Sequence, residues 1–394
     1  MRYWKLLGML AVVLFSLIFI SLRQLEEDCS TIISLNHTAK ERDVRLEFRR
    51  ALRQRQWKQR VERMWPMDDF TAARAVARQL RRGRVSELML SYRLRGVMKH
   101  YINNNKYRVA FRGHRVLVRS RRELLCRLKS QMFGLTLDGR EPPFSVRGWE
   151  RLMPRRSLEE LYGARLNTCA VVASAGSILH SGLGEEIDGH DAVLRFNAAP
   201  TEGFENDVGT KTTIRLLNSQ IMAQPRHEFN TSALYRNITL LAWDPSPYNV
   251  DLQRWYEEPD SDLFTPYVER RQLNPSEPFY ILHPGYIWRL WDLIQGNTIE
   301  DIQPNPPSSG FIGIMVMMGL CETVNVYEYI PSQRQTDQCH YYEDYQDNAC
   351  TLGAYHPLIY EKVLVRRMSR TSERMIKVKG QLTLQGLRKI QCRL

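Results

Sequence analysis

CAVVASAGSILHSGLGEEIDGHDAVLRFNAAPTEGFENDVGTKTTIRLLNSQ, residues 169–220, contains three apolar runs separated by polar, turn-rich segments. The first, Cys169–Ala173, enters the small-residue turn Ser174-Ala175-Gly176-Ser177, after which a helix is expected. The second, Ala192–Phe196, stops at Asn197, and the third, Thr212–Leu217, stops at Asn218. Short continuous apolar runs bounded by turn residues read as buried, parallel strands. A strand entering such a turn ahead of a helix presents backbone N–H groups to a phosphate. Two asparagines at strand ends would share the carboxyl edge of one sheet, where open α/β sheets bind ligands. The stretch reads as a nucleotide or sugar-nucleotide site, and since it carries neither G-x-G-x-x-G nor a P-loop lysine, neither NAD nor ATP is the natural first expectation.

Working outward, the same rhythm continues. Ile238–Trp243, Phe279–Leu282 and Val324–Ile330 read as strands. Arg122–Met132, Tyr286–Gln295 and Phe311–Cys321 read as helices, the last apolar on every side. Val116–Val118 reads as a short strand, and Leu382–Leu394 adds another that brings Cys392 back to the body. The alternation predicts an α/β fold, a mostly parallel sheet flanked by helices. Before Phe311 stands NPPSSG, residues 305–310, where Ser308 or Ser309 caps the helix and its first N–H groups offer an anion site. From Asp337 to Lys362 polar aromatics are dense, and His356 lies between Tyr355 and Pro357, which keeps its backbone out of helix.

The first residues read differently. Leu6–Leu22 is an uncharged run of 17 residues, preceded by Arg2 and Lys5 and followed by Glu26, Glu27 and Asp28. It reads as a transmembrane signal anchor with a short cytoplasmic tail, 1–5, and a lumenal remainder. The rival, a cleaved signal peptide, lacks a prompt small-x-small site. Residues 23–100 form a basic stem: Lys40–Lys99 holds eighteen Lys/Arg against seven Asp/Glu, most of the chain's net charge of +13. A basic segment suits nucleic acid or an acidic membrane, and a lumenal location excludes nucleic acid. Acceptor triplets for N-glycosylation at Asn36, Asn230 and Asn237 agree with that location. Of seven cysteines, six lie in the body, an even number suited to disulfides, and Cys29 is left over beside the membrane, placed to join two chains as a homodimer. Six cysteines allow fifteen pairings.

These motifs together resemble the eukaryotic sialyltransferases. Residues 169–220 resemble their large motif, Gln303–Glu328 around NPPSSGFIGIMVMMGLC the small motif, the segment with His340 the third, and Ala354-Tyr355-His356-Pro357 with Glu361-Lys362 the very small motif. The similarity is greatest to the beta-galactoside alpha-2,6-sialyltransferases, and FIGI, EYIPSQRQT and CHYYE lean towards the second isoenzyme type. It covers residues 101–394, which it implies are the catalytic domain, a Rossmann-like GT-A variant.

The resemblance implies a single-pass type II Golgi enzyme that moves sialic acid from CMP-sialic acid to the 6-hydroxyl of terminal galactose, with inversion and no metal or other cofactor. It implies that His356 is the general base. Donor contacts would come from Ser174, Asn197, Asn218, Ser308, Ser309, Gly310, His340, Thr351, Tyr355 and Lys362, and acceptor contacts from Tyr107, Gln220, Asp260 and Cys339. It also implies the pairs Cys126–Cys392, Cys169–Cys321 and Cys339–Cys350. Ser261 stands where the family often has an aromatic, and Asp260-Ser261-Asp262 imitates a DxD metal motif without further ligands. The alternatives are another linkage or acceptor, such as GalNAcβ1-4GlcNAc, a metal-dependent transferase, and a silent Golgi lectin or scaffold; retention of His356, Asn197 and Asn218 argues against the last.

Overall fold

The computed structural model describes residues 100–115, 120–163, 165–334, 336, 338–346, 350 and 353–392. The expected anchor 6–22, the stem up to residue 99, Asn36, Cys29, the expected strand Val116–Val118 and Thr351 lie outside them. No helix among the described residues is long and apolar enough to cross a membrane.

In chain order the elements are α1 (Arg121–Gln131), α2 (Leu158–Tyr162), β1 (Thr168–Val172), α3 (Gly184–Asp188), β2 (Ala192–Phe196), α4 (Glu205–Val208), β3 (Ile214–Asn218), α5 (Ser219–Ala223) and β4 (Thr239–Trp243). There follow α6 (Leu252–Glu257), α7 (Phe264–Leu273), β5 (Phe279–Ile281), α8 (Pro284–Gly296), α9 (Ser309–Leu320), β6 (Thr323–Tyr327), α10 (Leu358–Met368), α11 (Glu373–Lys379) and β7 (Gln381–Gln385). The strands form one sheet in the order β5-β4-β3-β2-β1-β6-β7. Neighbours are parallel, with registers such as Cys169↔Ala192, Leu194↔Ile214 and Leu216↔Leu241, except β7, which pairs antiparallel with β6. The order reverses direction between β1 and β6, so the crevice at the carboxyl ends of the strands is where such a sheet takes a ligand.

Side chains alternate across the sheet, and both faces are covered. Cys169, Val171, Leu194, Leu216 and Leu241 join a core with α8, α9 and α10. Leu217, Leu240 and Ala242 point the other way, onto α7 and Phe144, and Ala170, Val172 and Val193 onto α3. The helix α9 is buried on nearly all sides, as its uninterrupted apolar sequence requires, and lies against β1, β2 and β3. Gly313 makes that approach possible, because a Cβ there would sit 2.6 Å from the Phe196 ring. Disulfides join Cys169 in β1 to Cys321 at the end of α9, Cys126 in α1 to Cys392, and Cys339 to Cys350. The α/β reading of the sequence therefore holds, with helices on both faces of a mostly parallel sheet.

One local expectation does not hold and another is met later in the chain than the turn itself. The helix expected after the turn that follows β1 is α3, which begins only at Gly184, and Gly176–Ile178 before it is a single 3-10 turn. The backbone here is held by a different partner: Ala175 bridges to His340, Tyr341 N–H donates to Ser174 O at 3.1 Å, and the Gln338 carbonyl sits over Gly176. The strand expected to reach Ile330 stops at Tyr327. Glu328 takes φ 54°, and its buried carboxylate accepts from Ser177 Oγ, Ser332 N and Arg334, which turns the chain.

Candidate active site

Strand ends supply the first group of side chains. Asn197 follows β2 with φ 49°, a conformation asparagine tolerates better than most residues. It is held there by Arg215, a fully buried residue of β3 whose Nη1 donates to the carbonyls of Asn197 and Ala199 at 2.8 and 2.9 Å. Asn197 Oδ1 in turn accepts from Asn218 N at 3.0 Å, and Asn218 Oδ1 caps α5 by accepting from Ile221 N at 3.2 Å. Burial lowers Arg215 and the neighbouring buried Arg195 to about 10, and the Arg195 charge lowers Arg215 further. Two buried guanidiniums with no carboxylate bound directly to them give this edge a positive field.

Asn197, Asn218 and Gln220 open onto a cavity of about 430 Å³ whose far wall is His340, Tyr342 and Glu343. His340 stacks on Tyr342 with ring centres 5.5 Å apart, and its Nδ1 meets Glu343 at 2.6 Å. Ser174 reaches the same wall through Tyr341. Gln220, expected on the acceptor side, thus stands with the donor asparagines. Cys339, also expected there, sits beside His340 in the disulfide with Cys350.

The second group surrounds His356. The chain 353–357 is gripped by the segment before α9: Gln303 Nε2 donates to Ala354 O at 3.2 Å, and Asn305 Nδ2 to Tyr355 O at 2.8 Å. Both gripping side chains are buried. His356 Nδ1 lies 2.7 Å from the Pro306 carbonyl. A carbonyl only accepts, so Nδ1 carries the proton and Nε2 keeps its lone pair. Burial lowers the His356 pKa from its ordinary 6.5, with the Glu361 charge and the Pro306 carbonyl opposing, so the ring is neutral at pH 7.

Glu361, one turn into α10, is fully buried and binds the start of α9. It accepts from Ser308 N at 2.8 Å, Ser308 Oγ at 2.6 Å and Tyr329 OH at 2.7 Å. Ser308 Oγ also caps Phe311 N at 3.2 Å. Ser308, expected to face the donor phosphate, is therefore already occupied. The first-turn donors that remain are the Ser309 and Gly310 amides, and Ser309 Oγ accepts from Trp243 Nε1 at 3.1 Å. Gly310 lies against Tyr329, whose ring a Cβ would approach to 2.7 Å. Lys362 follows Glu361 and is lowered to about 8 by burial, against the pull of Glu361 and Glu328.

Tyr355 belongs with the expected acceptor residues. Its hydroxyl lies 2.6 Å from that of Tyr107, and Tyr107 reaches Asp260 Oδ2 at 3.3 Å. Asp260 accepts the one proton Tyr107 has, so Tyr355 donates to Tyr107. Burial raises Tyr355 to about 12, so the hydroxyl stays protonated at neutral pH. Lys106 pairs with the other Asp260 oxygen, while Asp262 accepts from Thr265 N at 3.1 Å. The two aspartates of the DxD look-alike thus serve different partners. The two groups of residues share neighbouring strand ends, since Asn218 pairs in register with Trp243.

Asp244 lies outside every motif, while Arg195 and Arg215 lie inside the large motif and Gln303 and Asn305 inside the small one with no role expected of them. For Asp244, Arg195 and Arg215 the available signal was a charged side chain in or at the end of an apolar run, which requires partners wherever it lands. Asn230 and Asn237 are both exposed.

A family model described as glycosyltransferase family 29 (sialyltransferase) matches residues 150–372. A Danio rerio protein named beta-galactoside alpha-2,6-sialyltransferase 2 is 60% identical over 319 residues, covering 81% of this chain and 62% of that protein. The Homo sapiens protein of the same name is 57% identical over 320 residues, covering 81% and 60%. The chain thus spans about three fifths of the length of these curated relatives. A crystal structure of a mammalian sialyltransferase with Gal-beta-1-3GalNAc-ortho-nitrophenol aligns with a TM-score of 0.40 at 21% identity, over 66% of this chain and 83% of that one. With more than half of its residues matched by the family model, the chain belongs to glycosyltransferase family 29, the sialyltransferases.

Proposed function

We propose that the chain transfers sialic acid from CMP-sialic acid to the 6-hydroxyl of terminal galactose in Galβ1-4GlcNAc-type glycans, with inversion and without a metal. The observation that carries this reading is the fixed tautomer of His356, a neutral imidazole with Nε2 available as acceptor. In the transfer, the acceptor hydroxyl gives its proton to Nε2 as its oxygen bonds to the anomeric carbon of sialic acid. The bond from that carbon to the phosphate oxygen breaks on the opposite face, and CMP leaves with the electron pair. A near-neutral imidazole is of the right strength for this proton.

The leaving phosphate gains charge, and neutral donors with a helix dipole meet that need: the Ser309 and Gly310 amides at the start of α9. Asn197 and Asn218 are suited to the nucleotide, in the field of Arg195 and Arg215; Ser174, His340, Thr351 and Lys362 complete the expected donor side. Tyr107, Tyr355 and Asp260 serve the acceptor side, and Gln220 and Cys339, which stand beside the donor residues, complete it where the two substrates meet. No metal is needed in this scheme, and the partners taken by Asp260 and Asp262 favour it. The uncharged run 6–22, the exposed Asn230 and Asn237 and the disulfides support a type II placement in the Golgi membrane with the body lumenal and Cys29 joining two chains.

The test is an assay of the purified chain with CMP-sialic acid and Galβ1-4GlcNAc, GalNAcβ1-4GlcNAc or Galβ1-3GalNAc, with and without EDTA and with linkage analysis. Transfer to Galβ1-4GlcNAc in 2,6 linkage, unchanged by EDTA, is expected. Use of Galβ1-3GalNAc alone, a 2,3 linkage alone, or loss of turnover in EDTA would overturn the corresponding part.

A further inference from the structure

Asp244 takes no part in the transfer as described, yet it is completely buried at the carboxyl end of β4. Four donors converge on it. Ser219 Oγ and Ser261 N, the latter at 3.2 Å, meet Oδ1; Trp255 Nε1 at 2.8 Å and Asp260 N at 2.9 Å meet Oδ2. All four are neutral, and only a carboxylate accepts from all of them at once. Burial raises the group to about 6 although these bonds oppose it, so the carboxylate is kept here against a desolvation cost. An apolar residue at this position would leave all four donors unpaired.

What the carboxylate joins is informative. Ser219 stands between Asn218 and Gln220, which line the nucleotide-sized cavity. The amides of Asp260 and Ser261 belong to the loop between α6 and α7, and Asp260 faces Tyr107 and, through it, Tyr355 beside His356. Asp244 therefore ties the two halves of the site through one buried group.

We infer that Asp244 is a positioning residue for the acceptor: by fastening the Asp260–Ser261 backbone to the strand end that carries Asn218 and Gln220, it sets the acceptor-facing loop and thereby governs acceptor affinity. The inference rests on the reading of Asp260 as an acceptor contact.

Asparagine at this position has one accepting oxygen. The indole and amide N–H groups on the Oδ2 side cannot reverse, so the new NH2 must face Ser219 and Ser261; the Ser219 hydroxyl can turn, and the Ser261 amide cannot. One loop amide is orphaned, and the loop shifts to relieve it.

Steady-state kinetics of the purified full chain, varying each substrate in turn, test the inference in wild type, Asp244→Asn, Ser219→Ala and Asp260→Ala. For Asp244→Asn an acceptor KM raised about tenfold or more is expected, with donor KM changed less than about twofold. Ser219→Ala should move acceptor KM the same way by a few-fold, and it decides the matter if Asp244→Asn does not fold. Donor and acceptor KM rising in parallel, or neither moving, would overturn the positioning role. If Asp260→Ala leaves acceptor KM unchanged, the acceptor reading itself fails and the inference with it. If Asp260→Ala raises acceptor KM and the other two variants do not, only the inference fails.

Discussion

Replacing Glu361 tests how the site is held together and tuned. Its carboxylate accepts three hydrogen bonds at 2.6–2.8 Å from Ser308 N, Ser308 Oγ and Tyr329 OH, with no exposure to solvent. Bonds to a charged acceptor are worth about 1.5–3 kcal/mol each, and a buried donor left unsatisfied costs about 1–3 kcal/mol. Some of this is recovered, because both hydroxyls can turn and water can enter. Glu361→Ala should therefore cost about 3–5 kcal/mol of stability. Glu361→Gln keeps one accepting oxygen for the Ser308 amide, and its NH2 can donate to the turned hydroxyls, so about 1–2 kcal/mol is expected. The Glu361 charge also raises the His356 pKa, so its removal lets burial lower that pKa further. In Glu361→Gln the acid limb of kcat/KM then moves to lower pH. Equilibrium urea unfolding with disulfides intact and a pH–rate profile measure the two effects. Variants within about 0.5 kcal/mol of wild type would refute the clamp; an acid limb that stays put or moves up would refute the electrostatic coupling.

Wild-type kcat/KM should have an acid limb below 6.5, since the folded His356 pKa lies below its ordinary value and the neutral ring is the active one. The same depression has a stability consequence: this histidine's contribution is complete above about 6.5 and is lost as pH falls through its lower folded value, because the unfolded chain then binds the proton more readily. A pH–rate profile and urea midpoints across that range check both. Asn305→Ala removes the 2.8 Å bond to the Tyr355 carbonyl and frees the turn that presents His356, so kcat should fall about tenfold with donor KM nearly unchanged. A fall in donor affinity with kcat intact would show that Asn305 serves the nucleotide instead.

The strands were legible because both faces of the sheet are covered, which makes buried parallel strands near-continuous apolar runs; Ala192–Phe196 and Thr239–Trp243 show this plainly. The helix α9 was legible for a related reason, since nothing but burial suits its composition. Where the helix after β1 begins was not legible, because local chemistry permits a start at the turn itself and only the distant partner at residues 338–341 delays it to Gly184. Ser308 was legible in part. Its capping role is local and readable, while the carboxylate that occupies it arrives from 53 residues on. The strand ends at Asn197 and Asn218 could be placed from pattern alone. That Arg215 pins Asn197, or that Asp244 reaches the Asp260 loop, depends on side-chain direction between elements, which no periodicity encodes. The membership of Tyr355 and Gln220 in one or other half of the site belongs to that same class.

The most direct measurement of the central claim is the single-turnover rate of His356→Ala beside wild type, with CMP-sialic acid and Galβ1-4GlcNAc both saturating. Loss of a general base predicts a rate lower by about 10²–10⁴ with CMP-sialic acid binding retained. A variant that turns over within about twofold of wild type would contradict the assignment of His356 as the base.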